Sequence, residues 1–130
     1  MVSEAQIQEA CADLLALDDW RRIRTDLKRL RGMGVQEKGM ADDLFIRYGW
    51  HASIPNPALH HVAEVLWIEH KKLDKRGKPT KASPKQIEWQ ALERKRGALV
   101  WQAGVDFPAT IEGFRDHYKV SGLMRRKIIS

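Results

Sequence analysis

The chain has 130 residues, enough for one hydrophobic core and too few for two. Its 43% hydrophobic and 31% charged content fits an ordered soluble globule, and no apolar run reaches the length of a membrane span. Lysine and arginine number 23 against 17 aspartate and glutamate, a net charge of +6 that suits a polyanionic partner, while the single cysteine, Cys11, excludes an internal disulfide and a cysteine-rich zinc module.

The start, Met1-Val2-Ser3-Glu4, lacks the basic-then-apolar pattern of a signal peptide, so a cytoplasmic location is expected. Ser3 with Gln6 forms a capping box, and Ile7, Ala10, Cys11, Leu14 and Leu15 recur at helical spacing, which predicts a helix from about Glu4 to Ala16. Cys11 lies in or next to its apolar stripe and reads as a buried structural thiol. Trp20 to Thr25 reads as a short strand rich in arginine, and 26–39, with Gly32, Gly34 and Gly39 among charges, as a basic loop.

Asp42 and Asp43 then stand at the entrance to a second strand, Leu44 to Tyr48. Such a pair commonly sits in a turn facing water; beside buried apolar residues it needs cations or water to offset desolvation. Residues 49–57 form a loop, with Trp50, His51, His60 and His61 in or near it. No spacing among these histidines matches a zinc ligand set, and contact with phosphate is the alternative. Tryptophans such as Trp50 are more often core than base-stacking platforms.

The apolar block Val62 to Ile68 admits two readings. Asn56-Pro57 is a good helix start, and Leu59, Val62, Leu66 and Leu73 form a helical stripe. Against this, the block is nearly continuous and rich in β-branched and aromatic residues, which predicts a central strand from about Glu64 to Lys71. The choice matters chemically. On a strand, Glu69 and Lys71 leave the same face as neighbours; on a helix they point to opposite sides and carry no joint chemistry.

Residues 72–82 read as a basic loop turning at Gly77-Lys78-Pro79. Ser83 caps the next helix with Pro84 at its first position, and Gly97 ends it. Ala98 to Ala103 is a strand, Pro108 is expected to open a last helix through Ile111, Phe114 and Tyr118, and the basic tail from Lys119 is expected to fray. The order is helix, strand, strand, strand, helix, strand, helix, without repeats or low-complexity segments.

Carboxylates entering one strand and Glu-x-Lys closing the next, in this order of elements, resemble the PD-(D/E)xK nuclease core, and more closely the small stand-alone VRR-NUC domains common in phages. The resemblance spans Glu4 to about Tyr118. It rests on Ser3-Glu4-Ala5-Gln6-Ile7-Gln8, Trp20-Arg21-Arg22-Ile23-Arg24-Thr25, Lys38-Gly39-Met40-Ala41-Asp42, Trp67-Ile68-Glu69-His70-Lys71, Ser83-Pro84-Lys85-Gln86-Ile87-Glu88-Trp89 and Gly97-Ala98-Leu99-Val100. One departure is the long gap between Asp42 and Glu69, which holds an insertion around Gly49 to His61.

The resemblance implies an α/β restriction-endonuclease-like fold, a mixed central sheet of about four strands flanked by helices, with a nuclease domain over 1–118 and a basic tail over 119–130. It implies Asp42 and Glu69 as metal ligands, Asp43 as the fallback for Asp42, the His70 backbone carbonyl as a further ligand, and Glu4 approaching the same centre. Lys71 would be the catalytic lysine and Gln86 the helix glutamine beside it. Oxygen ligands suit Mg²⁺ or Mn²⁺. The implied activity is endonucleolytic cleavage of branched DNA of the Holliday-junction or flap kind; a symmetric junction would call for a homodimer. Arg21, Arg22, Arg24, Lys28, Arg29 and Arg31 on one side, and Lys72, Lys75, Arg76, Lys78, Lys81 and Lys85 on the other, would hold backbone phosphates. The alternatives are a non-catalytic basic DNA-binding accessory and a structural module in which Glu69 and Lys71 form an ion pair.

Overall fold

A computed structural model describes residues 2–25, 39–48 and 63–129. The elements are α1 (Glu4–Ala16), β1 (Arg21–Arg24), β2 (Asp43–Tyr48), β3 (Ala63–Glu69), α2 (Pro84–Lys95), β4 (Leu99–Gln102) and α3 (Ile111–Val120). They form an α/β fold in which a four-stranded mixed sheet, ordered β1-β2-β3-β4, is antiparallel between its first three strands and parallel between β3 and β4. Val62 to Ile68 is therefore resolved in favour of the strand from Ala63 onward, with β3 inside the sheet and its last four residues buried.

Alternation along the strands divides the interior. Phe45, Leu66, Ile68 and Trp101 face α1 and α3 and pack with Ile7, Cys11, Leu15, Phe114 and Tyr118. Trp67 and Val100 face α2 and pack with Ala41 and Trp89, the two tryptophan rings meeting edge-on with centroids 4.7 Å apart. Both capping boxes read from the sequence are present, Ser3 with Gln6 on α1 and Ser83 with Gln86 on α2. Burial pushes the Cys11 thiol up to about 12, as befits a core residue.

Two expectations at the C-terminal end are corrected. The last helix begins at Ile111 with Thr110 as its cap rather than at Pro108, because the Thr110 side chain accepts the Gly113 amide. The basic tail does not fray: Ile129 is buried, Leu123, Met124 and Ile128 pack on the main core, and the Arg125 and Arg126 amides donate to the Asp18 carboxylate. Asp18 also takes the Tyr118 hydroxyl and the Arg47 guanidinium, which lies over the Trp20 ring at 4.4 Å. A fully buried aspartate is thus paired and hydrogen-bonded from four directions, the condition under which a buried charge is tolerated.

Candidate active site

Antiparallel pairing sets Asp43 opposite Ile68 and Leu44 opposite Trp67, so paired residues share a face. Asp43 therefore belongs to the α1 side. Its carboxylate is fully buried and satisfied by Gln8 Nε2 at 2.9 Å and by the Arg22 guanidinium, Nε to Oδ1 at 3.0 Å. Asp42, one residue earlier, falls on the opposite side with Trp67, Glu69 and α2, and its Oδ2 accepts the His70 main-chain amide at 2.9 Å. The fallback position is thereby separated from Glu69 by the sheet itself.

Glu69, Lys71 and Gln86 close a triangle on the α2 side. Lys71 Nζ is 3.3 Å from Glu69 Oε1 and donates to Gln86 Oε1 at 2.7 Å, while Gln86 Nε2 donates to Glu69 Oε1 at 2.9 Å. Gln86 Oε1 also accepts the Ser83 amide, so the capping box that starts α2 fixes the glutamine's orientation toward the sheet. Glu69 is 4% exposed and Lys71 8%. The second oxygen of Glu69, Oε2, is buried and has no hydrogen-bond partner among the described residues. Burial raises the Glu69 carboxyl above its usual range; Lys71 and the Asp42 main-chain amide pull it down, and Glu4 pushes it further up.

Two features place Asp42 beside this triangle. Thr25 at the end of β1 donates its hydroxyl to the Asp42 carbonyl at 2.7 Å and its amide to the same oxygen at 3.2 Å. Gly39, at φ +82°, lies so close to the start of α2 that a Cβ there would stand 2.4 Å from the Lys85 carbonyl oxygen. Only glycine accepts both that backbone angle and that approach. The glycine and threonine were visible within the sequence segments quoted above; their role as the brackets around Asp42 was not.

No protein-family model, curated protein or solved structure matches the chain.

Asp42, Glu69, Lys71 and Gln86 are thus brought together on one side. Glu4 stays within electrostatic reach of Glu69, yet among the described residues no three His, Cys, Asp or Glu side chains form a group that could hold a metal ion. The His70 imidazole is buried on the α1 side, Nε2 3.9 Å from Asp43 Oδ2, leaving only its main chain at the Asp42 side.

The expected phosphate-binding cations divide. Arg22 pairs with Asp43 and with Glu9 at 2.9 Å. Arg24 lies 3.6 Å from Glu9, and Arg21 sits over the Tyr48 ring at 5.9 Å. Lys72, Lys75, Arg76, Lys78 and Lys81 are exposed on a compact hairpin, closed by Thr80 to Lys72 and pinned at its turn by Asp74, which accepts the Arg76 and Lys78 amides. Lys85 is exposed near Glu88. Lys28, Arg29 and Arg31, with Trp50, His51, His60 and His61, lie outside the described residues.

Proposed function

We propose that this protein is a Mg²⁺- or Mn²⁺-dependent endodeoxyribonuclease with a PD-(D/E)xK core of the VRR-NUC type, acting on branched DNA. The observation that carries the reading is the orphaned Glu69 Oε2, a buried carboxylate oxygen aligned with Asp42 on one face and braced by Lys71 and Gln86. A buried unsatisfied oxygen calls for a proton, a water or a cation. Asp42, Glu69 and the His70 carbonyl would hold the metal, with Glu4 adding negative potential. When bound, a divalent cation polarises a phosphate and lowers the pKa of water.

The chain's own residues supply the rest. Lys71, held by Gln86, orients an attacking water and offsets negative charge developing on the phosphate. Gln86 keeps the ammonium and the carboxylate in register. The cations on the hairpin after Lys71 hold backbone phosphates without reading sequence. A labelled four-way junction incubated with Mn²⁺ tests the assignment: wild type cuts and Lys71→Ala does not. Mn²⁺ also raises the melting temperature of wild type, by the equivalent of about 2.7 kcal/mol at a hundredfold excess over its Kd, and leaves Glu69→Ala unmoved. Absence of cleavage by wild type, or full cleavage by Lys71→Ala, defeats the reading.

A second reading, a non-catalytic DNA-binding protein using the same fold, draws on the deep burial of Glu69 and Lys71 as a closed pair. It predicts binding indifferent to divalent metal and to Glu69→Gln, with no cleavage.

A further inference from the structure

Beside the triangle lies a second buried polar pair that the proposed cleavage does not use. Gln90 is one helical turn beyond Gln86 on α2, and Gln102 is the register partner of Glu69 in the parallel ladder. Gln90 Nε2 donates to Gln102 Oε1 at 2.9 Å, and each residue is 5% exposed. This bond consumes one donor and one acceptor. Among the described residues the Gln90 carbonyl oxygen and the Gln102 amide nitrogen have no further side-chain hydrogen bond, and neither is an atom both sealed from solvent and unpartnered.

The two side chains line a groove of about 580 Å³ walled by Ile87 and Val105, with Lys78 and Lys81 at its rim. Ile87 and Val105 are 58% and 73% exposed and present apolar surface along the groove. The groove is preformed: Gly104, at φ +86°, lies where a Cβ would stand 2.6 Å from the Pro79 ring, which fixes the basic hairpin against the turn after β4. Apolar walls, a few convergent polar atoms and this volume are the marks of a small-ligand site.

We propose that this groove receives an unpaired nucleobase of the DNA strand held at the neighbouring site. Every nucleobase presents a donor beside an acceptor on its Watson–Crick edge, and that edge is free only when the base is unpaired. The open amide donor and carbonyl acceptor of the glutamine pair match it. Flipped together, the two amides keep their mutual bond and exchange the open donor for the open acceptor, so the groove selects pairing state rather than sequence. Ile87 and Val105 cover the base's faces, and Lys78 and Lys81 meet the flanking phosphates.

The proposal rests on the nuclease reading for its ligand class. Binding is measured in EDTA by fluorescence anisotropy, with a short duplex that is fully paired or carries one unpaired nucleotide. Wild type binds the bulged duplex about tenfold more tightly, the order expected of one stacked base. Gln102→Leu removes that preference with duplex affinity unchanged. Ile87→Gln, at an exposed position of α2 where glutamine is a good helix former, lowers it to about threefold or less. Equal affinity of wild type for the two duplexes, binding to neither, or a preference that survives in both variants overturns the proposal. Cleavage with Mn²⁺ is scored separately: a bulge preference without cleavage sinks the nuclease reading and leaves the groove standing.

Discussion

A carboxylate with one oxygen bonded to Gln86 and Lys71, and the other buried without a partner among the described residues, carries its charge at a cost, because burial strips it of water. Burial raises the Glu69 pKa in the folded chain above that of the unfolded chain. The sign of the pH dependence follows. Below the unfolded value the group is protonated in both states and its contribution to stability is fully present. As pH rises through the raised folded value, the folded state is forced to ionise and that contribution is lost. Glu69→Gln cannot titrate, so in EDTA its stability relative to wild type increases as pH rises through this window, by about 1 kcal/mol, the low end of the cost of an unsatisfied buried acceptor. Any fixed penalty from leaving Lys71 beside a neutral amide shifts the difference without changing its slope. Urea unfolding of both proteins across the carboxylate range reads it out, and a difference independent of pH shows that Glu69 bears no such strain.

Two aspartates one residue apart differ by everything the sheet separates. Asp43 faces α1 and completes a buried pair with Arg22 and Gln8, whereas Asp42 faces α2 and Glu69. Asp43→Asn is expected to destabilise the protein by about 3 kcal/mol, since it removes the buried charge partner of the Arg22 guanidinium and leaves it only exposed Glu9. Asp42→Asn should cost about 1 kcal/mol and, if the proposed nuclease reading holds, reduce cleavage by about a hundredfold or more. Urea melts beside cleavage assays separate the two, and a reversal of their rank would place the ligand on Asp43. Element types were legible because their signals are local: Ser3 with Gln6 and Ser83 with Gln86 announce helix starts, and the β-branched block announces β3. The aspartate choice was not legible, because consecutive residues trade faces with a one-residue change of register and only the pairing with Ile68 fixes it. The pairing of Arg22 was hidden for the same reason: an arginine on a short strand looks like surface until a partner 21 residues away, Asp43, arrives beside it.

At the scale of the whole molecule the two ends of the sheet do different work. Asp18, Arg47, Glu64, Tyr118 and the docked tail tie one end together through contacts as far apart in sequence as Asp18 and Arg126, which no local pattern in the tail could announce. At the other end, Glu69 closes β3 and the basic hairpin follows at once, with Lys75 and Arg76 exposed near its turn. On the proposed nuclease reading, net charge alone does not say which cations would meet DNA, since Arg22 and Arg47 pair with buried acids. Salt dependence does distinguish them. Each phosphate contact contributes about 0.9 to the slope of log K against log salt. Replacing Lys75 and Arg76 with glutamine should lower the slope magnitude by about 2 in metal-free binding to a branched duplex. Arg126→Gln, whose guanidinium is exposed beside Asp19 at the far end, should leave the slope unchanged. Equal slopes for all three proteins would move the DNA track away from the hairpin, whereas a fall caused by Arg126→Gln would place it across the end tied by Asp18. Because the readout is a slope rather than an affinity, a variant that merely folds less well lowers the fraction bound at every salt concentration and does not mimic a lost phosphate contact.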